Sequence, residues 1–75
     1  MKTSNFQIRS YGLTELALLY RPHLAPRSAL RTLRNWIGRN PKLVAALAAT
    51  GFNPASVRTL TPMQVAVIVR YLGEP

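Results

Sequence analysis

Between Ser28 and Arg39 the chain reads SALRTLRNWIGR, and this stretch limits the folds open to it. Ala29, Leu33, Trp36 and Ile37 recur at helical spacing and form one apolar stripe. Arg27, Arg31, Arg34, Asn35 and Arg39 fall mostly on the other side. Such a helix needs other elements to cover its apolar face, and it offers its arginine face to an anion. The stretch therefore predicts a packed helical domain built around a two-faced helix.

The partners for that helix must come from a short chain. Its 75 residues make one small domain, 1–75. Folding at this size buries only about 60% of the surface the unfolded chain exposes. No cysteine is present, so no disulfide or thiolate metal site can add stability. The core must be aliphatic, and hydrophobic residues at 48% suffice for one. Oligomerisation or a bound partner would help a core this small.

Proline, glycine and capping residues divide the chain. Residues 1–5 are polar and read as frayed. Phe6–Arg9 alternates apolar and polar, which predicts a short strand with Phe6 and Ile8 inward. A first helix is expected from Leu13, with Gly12 as N-cap and Glu15 in the capping position, ending before Pro22. Leu13, Leu16, Ala17 and Tyr20 would face inward, with Leu19 at the margin. The second helix starts at Pro26 or Ser28 and runs through Ile37, with Gly38 as its stop. Asn40-Pro41 opens a third, whose inward face is Leu43, Val44, Leu47 and Ala48 and whose stop is Gly51. A loop with a turn at Asn53-Pro54 follows, and Val57–Leu60 would pair with Phe6–Arg9 as a minimal ribbon. Thr61, Pro62 and Gln64 give the last helix its start, with Leu60 and Val65 placed as a hydrophobic staple. Val65, Ile68, Val69 and Leu72 form its stripe, and Gly73 ends it. The expected class is all-α: a compact four-helix domain with a helix-turn-helix core and a minimal two-stranded β ribbon.

Composition narrows function. Ten Lys plus Arg against two acids leave a net charge of +8, and eight of the ten bases are arginine. Arginine favours bidentate contact with phosphate or carboxylate. A strong positive balance on a small domain is the footprint of a nucleic-acid binder, although basic surfaces also meet acidic proteins. Catalysis has little to work with. Glu15 and Glu74 lie at opposite ends, and the single His23 sits in the proline turn with no companion ligands or nucleophile. No glycine-rich phosphate loop is present. Neither an enzyme nor a cofactor or metal is expected. The sequence has no apolar run of the roughly 20 residues that a membrane span needs. Its amino terminus lacks a signal-peptide apolar core. A cytoplasmic protein without membrane contact is the expectation.

Two resemblances add to this. YGLTELA at Tyr11–Ala17, followed by TLRNWI at Thr32–Ile37, resembles the opening of the MerR and excisionase winged helix-turn-helix group. The resemblance implies that Arg31, Arg34 and Asn35 lie on a recognition helix in the major groove, with Arg58 in a wing-like loop. The segments FQIRSYGLTELALLYRP, RTLRNWI and RTLTPMQVAVIVRYLGEP resemble, over nearly the whole chain, a family of short bacterial proteins that carry a domain of unknown function. That similarity implies a complete chain with a native carboxyl-terminal LGEP, and no particular activity.

The leading expectation is a small DNA-binding protein of helix-turn-helix type, with Arg27, Arg31, Arg34, Asn35, Arg39 and Arg58 as its contact residues. The alternative is an adaptor that binds another protein or homodimerises without nucleic acid, suggested by the apolar run Val65–Val69 in the last helix. RNA binding ranks third, because Tyr11, Tyr20 and Trp36 read as core aromatics.

Overall fold

Three of the helices begin where a side chain can satisfy the free amides of a first turn. The computed structural model describes residues 6–53 and 58–75. Its elements are β1 (Tyr11–Gly12), α1 (Leu13–Tyr20), α2 (Pro26–Gly38), α3 (Pro41–Ala48), β2 (Thr59–Leu60) and α4 (Pro62–Leu72). At α1 the Glu15 carboxylate accepts from the Gly12 amide at 3.1 Å. At α3 Asn40 Oδ1 accepts from the Leu43 amide at 3.1 Å. At α4 the box is reciprocal: Thr61 Oγ1 accepts from the Gln64 amide at 3.2 Å, and Gln64 Oε1 accepts from the Thr61 amide at 3.0 Å. Gln64 is buried, and its Nε2 donates to Thr50 Oγ1 at 3.1 Å, tying the start of α4 to the end of α3. Of the two possible starts for α2, the structure takes Pro26 at the first turn.

The core is aliphatic, as a chain without cysteine requires. Leu16, Leu33, Leu43, Leu47, Leu60, Val65 and Ile68 are fully buried. They come from every helix and from β2. The most extensive helix packing is α1 on α2, and α3 packs against both α2 and α4. Trp36 is half-buried: it meets the edge of Tyr20 at 5.9 Å, with the Arg21 guanidinium 5.8 Å from its ring. The Tyr20 hydroxyl donates to the Gly73 carbonyl at 2.5 Å, joining α1 to the end of α4. Burial, with Glu74 nearby, pushes that phenol up to about 12.

The four-helix architecture with a small antiparallel ribbon agrees with expectation, but four details differ. The ribbon pairs Tyr11 with Leu60 and Gly12 with Thr59, not Phe6–Arg9 with the later strand. Phe6–Ser10 instead wraps Tyr11. Phe6 stacks on its ring at 5.4 Å, Arg9 lies 3.8 Å from the ring centre, and the Tyr11 hydroxyl donates to the Gln7 carbonyl. Ile8, expected inward, is exposed. Gly38 does not stop α2: it is the last helical residue, and Arg39 caps with right-handed backbone angles. The chain enters α3 almost at once, so no left-handed residue is needed there. Positive φ occurs among the described glycines at Gly51 and Gly73, both at 86°. Finally, Val44 and Ala48 of α3 are exposed, because neighbouring helices cover only the stripe of Leu43 and Leu47. The expectations for residues 1–5, Pro54 and Val57 lie outside the described residues.

Candidate functional site

The helical period of α2 carries its arginines away from the core. Ala29, Leu33 and Ile37 are buried on one side. Arg27, Arg31 and Arg34 follow at spacings of four and three, so they share the opposite face. All three are exposed, as is Asn35. These four residues and the half-buried Leu30 line a shallow surface depression. The structure thus brings together four of the six contact residues expected from sequence. Leu30 was not among them, although its spacing from Leu33 and Ile37 could have placed it at the edge of the buried stripe.

Arg39 and Arg58 stand outside this depression. Arg39 caps the carboxyl end of α2, and its amide donates to the Asn35 carbonyl at 3.0 Å. A cation there also suits the helix dipole. Arg58 is exposed just before β2, and its carbonyl accepts from the Leu13 amide at 2.8 Å, which satisfies one of the free donors of α1.

The charge on the α2 face is not neutralised within the fold. Among the described residues the one ion pair is Arg9–Glu15, at 3.2 Å. The Gly12 amide, and next the Arg9 guanidinium, hold the Glu15 carboxyl below its ordinary value. Glu74, the other acid, lies near Tyr20. Arg27, Arg31 and Arg34 are therefore left with like-charged neighbours one helical turn away. Such spacing costs a helix about 0.2–0.5 kcal/mol per pair.

A second concavity adjoins the first. It is an apolar groove of about 170 Å³ between α2 and α3, bounded by Ile37, Gly38, Val44, Ala48 and Phe52 among others. Arg34 lines both concavities. No group of three or more His, Cys, Asp or Glu residues is assembled among the described residues. What the surface offers chemically is multidentate donation to anions beside an apolar recess.

Residues 7–75 match the family described as "Domain of unknown function (DUF4248)". The chain belongs to this DUF4248 family. The match covers nearly all of the chain, in agreement with the resemblance carried by its first, central and last segments. No curated protein matches the chain, and no solved structure does. Among the described residues of this DUF4248 domain, no helix is long and apolar enough to cross a membrane.

Proposed function

We propose that this DUF4248 domain is a small DNA-binding module that lays the arginine face of α2 against a duplex. The observation that carries the reading is the unneutralised row Arg27, Arg31 and Arg34, with Asn35 beside it, exposed on the helix face that the core does not use. Phosphate oxygens supply the charge this row lacks, and a guanidinium fork can hold one bidentately. Most of the arginines contact phosphate, which positions the protein without reading sequence. Asn35 reaches a base edge, where an amide can pair with adenine. Arg39 and Arg58 add phosphate contacts at the flanks. The order α1, turn, α2 and the similarity of YGLTELA and TLRNWI to winged helix-turn-helix openings support the same placement of α2 in the major groove. One module this small binds weakly, so a dimer or larger complex gives the specific state.

Fluorescence anisotropy of duplex DNA across a salt series tests the reading. The parent protein should bind at low salt and lose affinity steeply as salt rises. Arg31→Ala with Arg34→Ala should weaken binding and flatten the log–log salt slope by about 0.9 for each phosphate no longer neutralised. An unchanged slope and affinity in the double variant would exclude α2 as the DNA-facing surface.

A further inference from the structure

The groove between α2 and α3 is a concavity whose chemistry differs from that of the α2 arginine face. Ile37 and Gly38 form one wall and Val44 and Ala48 the other, with Phe52 also in the lining. Val44 is 44% exposed, so its side chain is accessible on the groove. The space beside Gly38 is open, since a Cβ built there would meet nothing within 4 Å. About 170 Å³ accommodates one large aliphatic or aromatic side chain. The walls are hydrocarbon, so a nucleobase would leave its polar edges unpaired there. An apolar side chain gives up no hydrogen bond on entry.

Charge selects what carries that side chain. Arg34 lies on the lining and has no acid partner among the described residues. A second copy of this chain supplies little that could answer it. Each copy has only Glu15, already held by Gly12 and Arg9, and Glu74, and each brings a net +8. We infer that the α2–α3 groove docks an acidic amphipathic helix of a partner protein, which inserts one large apolar side chain between Gly38 and Val44 and sets a carboxylate on Arg34. Helix-in-groove recognition uses this combination of a spaced apolar anchor and complementary charge. The docking does not depend on DNA binding. Where DNA occupies the α2 face, however, the two ligands compete through Arg34.

The test is a titration of the isotope-labelled protein, followed by amide chemical shifts, with two synthetic helices. One carries leucines on one face and glutamates elsewhere, and the other has lysine for every glutamate. The glutamate helix should shift the amides of Ile37, Gly38, Val44, Ala48 and Phe52, and the lysine helix should not. Ala48→Glu, at an exposed helical position, should weaken the glutamate helix by about tenfold or more while far-ultraviolet dichroism stays unchanged. Val44→Gln, a second exposed position, should weaken it in the same direction. Three results overturn the inference. One is no binding of the glutamate helix. Another is binding that maps only to Arg27 and Arg31 and ignores Ala48→Glu, which is attraction between polyions alone. The third is light scattering that shows self-association abolished by Ala48→Glu, which makes a second copy the occupant. All three outcomes are read without DNA, so they are separate from the fate of the DNA proposal.

Discussion

Arg9 and the arginines of α2 show how differently two arginine environments can behave in one small domain. The Arg9 guanidinium covers the Tyr11 ring, bonds to the Ser10 carbonyl and meets Glu15, so its charge is used within the fold. The α2 arginines have no such partners among the described residues. Glu15 joins both the capping of α1 and the wrapping of Tyr11, and its carboxyl is held below the ordinary value by the Gly12 amide first and Arg9 second. A carboxylate with a depressed folded pKa stabilises the native state above its unfolded pKa. That contribution disappears as pH falls through the folded value. The unfolded reference here is 4.5, so the loss begins below that pH. Glu15→Gln retains an oxygen for the Gly12 amide and removes the charge. The variant should melt below the parent near neutral pH, and the difference should shrink in acid as the carboxyl protonates. Thermal denaturation at neutral and at acid pH decides it. A gap that persists in acid would mean that packing, not ionisation, is what Glu15 contributes.

Helix starts carry much of the specification at the scale of elements. Thr61 is the sharpest case, because its hydroxyl accepts from the Gln64 amide while its own amide donates to Gln64 Oε1 in return. Gln64 is buried and also bonded to Thr50, so disturbing the cap disturbs the joint between α3 and α4. Thr61→Ala should cost about 1 kcal/mol, and up to about 2 if the joint loosens. In a domain of this size that lowers the melting temperature by about 4–8 °C per kcal/mol, whereas Thr61→Ser should be nearly neutral. Caps of this kind are local, which is why the starts at Leu13, Pro41 and Pro62 could be read from a few neighbouring residues. The ribbon could not, because alternation at Phe6–Arg9 says nothing of the aromatic that the segment would wrap. Gly38 departs from expectation for a related reason: a glycine signals a helix end only where the chain must turn left-handed, as at Gly51 and Gly73. The α2 face was legible because a single helix's period places Arg27, Arg31, Arg34 and Asn35 together. The adjoining groove was not, since periodicity marks Val44 and Ala48 as apolar without saying how much of α3 its neighbours cover.

The whole molecule holds a net +8 within a radius of gyration of 11.7 Å. The Debye length is about 10 Å at 0.1 M salt and about 30 Å at 0.01 M, so only towards the lower concentration is repulsion felt across a domain 34 Å in its longest extent. A surface that is both repulsive and unpaired weakens the free protein and favours any anion that binds it. This predicts opposite effects of one substitution on two measurements. Replacing Arg31 and Arg34 by alanine removes like-charged neighbours and installs the best helix former. The free double variant should therefore melt above the parent at low salt, with the gap narrowing as salt screens the repulsion. Duplex DNA should reverse the order, raising the melting temperature of the parent more than that of the variant, because only the parent keeps the full set of arginines proposed to meet phosphate. The DNA-induced rise should itself shrink with added salt, whereas the melting temperature of the free parent should climb. If the double variant instead melts lower in the absence of DNA, Arg31 and Arg34 are part of the packing of α2 and not a surface held ready for a ligand.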